Sequence, residues 1–201
     1  DGKVRRGDGD RIDAVIWFSD LRDSTRLAEE LGHERFLEPP NDYFEATAGA
    51  VLEHGGEDLR FIGDASLAVF PIASGEDVAE VCARALDAAR DAVERAAQVN
   101  VSRADAGTTT FNFGIGLHRG EVLYGNIGTT NRLEFSVIGP AANETARIEG
   151  LSKVAGECVV LSETVVTHLN DRAHEIGASL GQHPLRGVGR DIEIFGLAPT
   201  H

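Results

Sequence analysis

Apolar positions along this chain follow two rhythms, short unbroken runs and longer stretches with helical spacing. Residues 14–19 form an apolar, branched and aromatic run that closes on Asp20, the pattern of a buried strand. Ser24 and Thr25 follow at once and are suited to cap a helix, leaving backbone N–H groups free to face an anion. Leu27, Ala28, Leu31 and Phe36 give residues 24–37 a helical period; Pro39-Pro40 predicts a break or kink before the period resumes over 43–53. Two strand-like runs, 57–62 and 65–70, then flank Gly63-Asp64, a pair compatible with a tight hairpin turn having glycine first. A stripe at Val78, Val81, Ala85, Leu86 and Val93 predicts a helix over 76–99.

Farther along, residues 108–118 and 121–127 read as a second hairpin around Arg119-Gly120, followed by a loop at 129–132 and a strand at 134–138. A helix at 140–151, a strand at 158–161, a helix at 163–170 and strands near 175–180 and 192–197 complete the pattern. Residues 1–12 are charged and Gly-rich, expected as a linker or frayed first strand, with one domain over 13–201. Helices mixed with several antiparallel hairpins predict an α+β sandwich rather than a doubly wound sheet. Gly114-Ile-Gly116 lies inside a strand pattern and opens no helix, which removes a dinucleotide fingerprint from consideration.

Composition narrows the partners. With 33 acidic against 19 basic residues the formal charge is −14, which argues against a nucleic-acid surface and against anionic lipid. The same field repels a nucleoside triphosphate in bulk, so such a ligand needs bound metal and a few placed cations. Cys82 and Cys158 are too few for a disulfide framework and read as core thiols in a reducing, cytoplasmic setting. No apolar run reaches membrane-spanning length, so no membrane contact by this segment is expected. The opening residues carry no signal peptide and no initiating Met, which suggests the cytoplasmic domain of a longer protein.

Two carboxylates stand where chemistry could use them. Asp20 closes the first strand and Asp64 sits at the predicted hairpin tip, although an acidic residue in a turn is ordinarily just a turn former. Pro140 suits a first helical turn, and Asn143 and Arg147 project from one face of the helix it opens. The bland alternative is an amphipathic helix whose Arg147 pairs with Glu144 or stands in solvent.

The ordered set Phe18-Ser-Asp-Leu-Arg-Asp-Ser-Thr25, Arg60-Phe-Ile-Gly-Asp64 and Phe135-Ser-Val-Ile-Gly-Pro-Ala-Ala-Asn-Glu-Thr-Ala-Arg147 resembles the catalytic domain of the class III nucleotidyl cyclases. The likeness extends from about residue 13 to 197 and is strongest to the bacterial type with a hydroxyl residue at the purine-reading position. It implies an α+β, ferredoxin-like βαββαβ core with extra C-terminal strands and helices, the nucleotide cyclase fold. It implies an adenylate cyclase converting ATP to 3′,5′-cyclic AMP and pyrophosphate with two Mg²⁺ or Mn²⁺ per site, held by Asp20, Asp64 and the Leu21 carbonyl. Asn143 would orient the ribose, Arg147 would stabilise charge on the α-phosphate, and Thr25 and Arg186 would hold the triphosphate, Arg186 being equally readable as a surface residue.

The same resemblance places the metal aspartates and the Asn143–Arg147 helix at opposite edges of one subunit, so that a head-to-tail homodimer builds shared active sites. Base choice departs from the family pattern: Arg60 and Ser136 stand at the purine-reading positions, which favours ATP and leaves GTP or relaxed specificity open. A rival reading is a catalytically weak or inactive cyclase-like domain serving regulation or dimerisation, supported by the Pro39-Pro40 break and by the changes at Arg60 and Ser136.

Overall fold

A computed structural model describes residues 9–35, 37–129, 132–185 and 189–199. One eight-stranded sheet organises them. Strand β1 (Gly9–Arg22) leads through helices α1 (Ser24–Arg35) and α2 (Glu38–Glu53) to the β2 (Glu57–Ile62) and β3 (Ala65–Ile72) hairpin. Helix α3 (Val78–Asp105) crosses to β4 (Asn112–Thr129), and β5 (Arg132–Ile138) turns back onto it. Helix α4 (Pro140–Ala155), β6 (Val159–Ser162), the short α5 (Glu163–Val166), a 3₁₀ segment (Asn170–Glu175), β7 (Ile176–Pro184) and β8 (Asp191–Leu197) follow.

The strand order is β2-β3-β1-β4-β6-β8-β7, with β5 paired to β4. In its first four strands each neighbouring pair is antiparallel, the ferredoxin-like βαββαβ arrangement, with α1–α2 and α3 as the crossovers. The elements after β4 are the C-terminal additions, joined through a parallel β4–β6 pair.

Alternation along β1 separates two cores. Val15, Trp17 and Leu21 pack with Tyr43, Ala50, Leu86 and Ala89 of α2 and α3, while Ala14 and Ile16 pack with Leu67, Val69, Val122 and Ala141 on the opposite face. On that second face β4 forms a bed for α4. A Cβ at Gly116 would stand 2.7 Å from the Glu149 backbone nitrogen and 2.9 Å from the Thr145 carbonyl oxygen, and one at Gly120 would stand 2.6 Å from Ala141 Cβ. The helix therefore lies closer to the strand than any side chain there would allow.

This bed corrects the second predicted hairpin. β4 runs unbroken through Arg119-Gly120, which pair with Val15 and Ala14 of β1. The 14-residue β1 supplies a continuous partner, and Gly120 serves close helix approach, not a turn. The expected break before the second helical stretch is present: α1 ends at Arg35 and α2 begins at Glu38, with Pro39 and Pro40 in its first turn, where a missing N–H costs nothing. A helix expected over 163–170 is only the four residues of α5, with the 3₁₀ segment beyond it. β1 begins at Gly9, inside the segment expected as linker or frayed strand; residues 1–8 lie outside the described residues. Among the described residues no helix is long and apolar enough to cross a membrane.

Candidate active site

The β2–β3 turn delivers one carboxylate to the other. Ile62 and Ala65 close the turn, Gly63 supplies its φ of 65°, and Ala65 is the cross-strand partner of Asp20. The Leu21 N–H donates to the Asp64 carbonyl oxygen at 3.1 Å, fixing Asp64 beside the end of β1. Two acidic residues are thus held against one another at the lip of the sheet.

Electrostatics register the crowding. Burial first, and then the Asp64 charge, push the Asp20 carboxyl up to about 6, against a lowering hydrogen bond from the Leu21 N–H. Asp20 Oδ1 is buried with no hydrogen-bond partner, an omission that costs on the order of 1–3 kcal/mol. A cation would relieve both defects. Among the described residues no group of three or more His, Cys, Asp or Glu side chains converges as a closed cage. Two carboxylates and a nearby carbonyl are instead the sparse set that Mg²⁺ favours when waters and substrate phosphates complete its shell, so a divalent ion fits this corner.

Past Arg22 the chain bends at Asp23, whose φ is 56°, and α1 starts at Ser24. Ser24 and Thr25 therefore lie in the first helical turn instead of capping it from outside. The Asp23 carbonyl takes the Leu27 N–H at 3.0 Å, and the first-turn N–H groups have no acceptor within the helix. That leaves donors, with the exposed Thr25, a few residues beyond Asp20 in the chain.

Asn143 and Arg147 share the outer face of α4, exposed and with no side-chain hydrogen bond to the described residues. Glu144 is not the partner of Arg147; it stands 3.0 Å from Nε2 of His118. Burial, and after it the Arg190 charge, push the His118 imidazole down to about 4. A neutral ring protonated on Nε2 donates to Glu144 and accepts at Nδ1 from the Ser162 hydroxyl, 2.9 Å away.

The inner face of α4 packs on the side of the sheet that carries Asp20, while Asn143 and Arg147 stand exposed on its outer face. α4 lies across β4 and β1, and the Glu149 carboxyl, only 7% exposed, is pushed up to about 7 by burial and by the charge of Asp20, with the Ser152 hydroxyl and Arg22 opposing. Arg22 Nη2 donates to Ser152 Oγ at 2.9 Å and to the Glu157 carbonyl at 2.7 Å. On the other side of β1, Ser19 and Tyr43 share a buried hydroxyl hydrogen bond of 2.7 Å. Sequence reasoning passed over Arg22, Glu149 and Ser152. The available signals were an Arg two positions after Asp20, on the same strand face, and a Glu on the helix side opposite Arg147.

Arg60 is exposed on β2 at a register irregularity, and Leu21 is buried. Ser136 pairs with Gly125 through the β5–β4 ladder, and its side chain lies outside the described residues, as does Arg186 altogether.

A family model described as the adenylate and guanylate cyclase catalytic domain matches residues 10–198. An adenylate cyclase of Anabaena cylindrica is 35% identical over 159 residues, 78% of this chain and 30% of that protein, so the chain spans under a third of its length. The crystal structure of the guanylyl cyclase Cya2 superposes with a TM-score of 0.79 at 28% identity, covering 96% of this chain and 95% of that one. A bacterial light-regulated adenylyl cyclase gives a TM-score of 0.82 at 25% identity, covering 94% of this chain and 53% of that one.

Proposed function

The chain belongs to the adenylate and guanylate cyclase catalytic domain family, and from that membership we propose that it converts ATP into 3′,5′-cyclic AMP and pyrophosphate at a site shared between two copies. The observation that carries the proposal is the meeting of Asp20 and Asp64, with a buried Asp20 oxygen that no protein donor satisfies. In the reaction the ribose 3′-oxygen attacks the α-phosphorus, its proton leaves, and the bond to the β-phosphate breaks with its electron pair on pyrophosphate.

Asp20, Asp64 and the Leu21 carbonyl would hold two Mg²⁺ or Mn²⁺. Such ions supply a lowered pKa for the 3′-hydroxyl and neutralisation of the triphosphate. The first-turn N–H groups of α1 and the Thr25 hydroxyl would donate to the terminal phosphates, joined by Arg186. Asn143 would hold the ribose in line, and Arg147 would meet the charge building on the α-phosphate. Both are exposed and their side chains have no partner among the described residues of one copy, as suits groups completed by a second. Exposed apolar side chains on the strands, Phe61 and Ile62 of β2, Leu123 of β4 and Ile138 of β5, suit contact with that copy.

Arg60 and Ser136 would read the purine. A guanidinium at position 60 can donate to adenine N1 or to guanine O6, and the likeness to the guanylyl cyclase Cya2 keeps GTP as the second substrate. The break before Pro39-Pro40 and the departures at Arg60 and Ser136 favour a regulatory-module reading as the second one, and the presence of Asp20, Asp64, Asn143 and Arg147 weighs against it. The test is turnover of ATP and of GTP with manganese or magnesium, following cyclic nucleotide and pyrophosphate. Metal-dependent cyclic AMP is expected in preference to cyclic GMP, and Arg147→Ala should lower kcat by about 10²–10³. No cyclic product from either nucleotide, at protein concentrations where the dimer forms, would return the chain to the regulatory reading.

A further inference from the structure

A buried clamp joins α4 to the acidic end of β1. Arg22 reaches from β1 to the last turn of the helix, donating to Ser152 Oγ at 2.9 Å and, just past the helix, to the Glu157 carbonyl at 2.7 Å. Ser152 in turn donates to Glu149 Oε1 at 3.3 Å. An outer pair, Lys153 with Asp23 at 3.4 Å, repeats the connection at the surface. Space for the clamp comes from Gly114, the cross-strand partner of Asp20: a Cβ there would stand 2.1 Å from Glu149 Oε1 and 2.5 Å from Ser152 Oγ. Ser152 is fully buried, and Arg22 Nε has no partner, so the helix end is what fixes the guanidinium.

The geometry has a direction. Arg147 and Glu149 are two positions apart and so point to opposite sides of α4, Arg147 exposed and Glu149 buried. Arg22 is two residues past Asp20 and shares its side of β1. The clamp therefore grips the helix from behind while its outer face stays open.

We propose that Arg22, Ser152 and Glu149 are positioning residues that make α4 and the Asp20 end of β1 one rigid body, setting Asp20 for metal and Arg147 for nucleotide together. This rests on the cyclase reading above; under it, the body carries one half of each of two shared sites, so seating a nucleotide against α4 also places the carboxylate serving the other site. Ser152→Ala removes the clamp's central hydroxyl with almost no change in volume. It should raise the manganese concentration that half-protects the protein from thermal unfolding about tenfold and lower kcat with KM for ATP little changed. Glu149→Gln keeps an acceptor for Ser152 and should stay near the parent in both readouts, whereas Glu149→Ala should follow Ser152→Ala. Arg22→Lys, retaining the charge but only one of the two contacts, provides an intermediate should the alanine variants fold poorly. Unchanged manganese half-point and kcat in folded Ser152→Ala and Arg22→Lys, with only a lower melting temperature, would reduce the clamp to ordinary packing. The metal-protection readout needs no turnover, so failure of the cyclase reading and failure of the clamp are separately visible.

Discussion

Asp20 is a carboxylate kept in an environment that does not suit its own charge. Its folded pKa of about 6 lies above the ordinary 3.8, so its stabilising contribution is complete below 3.8 and is lost as pH rises through 6. Metal-free Asp20→Asn should therefore melt above the parent at pH 7.5, by a few degrees at about 2–4 °C per kcal/mol, with the gap shrinking toward pH 4. Manganese should raise the parent's melting temperature and leave the variant's unchanged. His118 has the opposite sign. Its imidazole sits near 4 instead of 6.5, so the stability it contributes is present above 6.5 and lost as pH falls toward 4, on the order of 2–3 kcal/mol. His118→Gln should flatten that acid limb in urea unfolding measured across pH 4–7; an unaltered limb would mean that the ring is already charged beside Glu144.

At the level of elements, the packing of α4 onto β4 is the feature on which the site's shape depends. Gly116→Ala forces a methyl against the Glu149 and Thr145 backbone, which cannot swing away, and should lower stability by about 1–3 kcal/mol together with kcat. Gly150→Ala, in the same helix with nothing within 4 Å of the new methyl, should be neutral or stabilising by about 0.5–1 kcal/mol. Denaturant unfolding of the two variants separates close approach from a general intolerance of alanine. The same contrast explains what the sequence revealed. The β2–β3 hairpin was legible because Gly63-Asp64 is local turn chemistry, and β1 because its apolar run is continuous. Arg119-Gly120 misled because a glycine that admits a helix looks like a glycine that turns a chain, and only tertiary contact with Ala141 distinguishes them. Asp20, Asp64, Asn143 and Arg147 stood out through motif order; the clamp did not, since Glu149 and Ser152 meet Arg22 across more than a hundred residues of chain.

For the molecule as a whole, one copy presents an acidic corner at the end of β1 and, on the outer face of α4, an exposed Asn143 and Arg147 whose side chains have no partner among the described residues. A chain of net charge −14 has little reason to gather a triphosphate without metal and placed cations such as Arg147, and under the proposed function the second copy supplies that cation to each site. The most direct measurement mixes Asp20→Ala and Arg147→Ala chains, each inactive alone, under conditions where subunit exchange is shown, and follows cyclic AMP formation. The account predicts recovery to about a quarter of parental activity, from heterodimers with one intact site of two. A mixture that exchanges subunits yet stays as inactive as its components would contradict it.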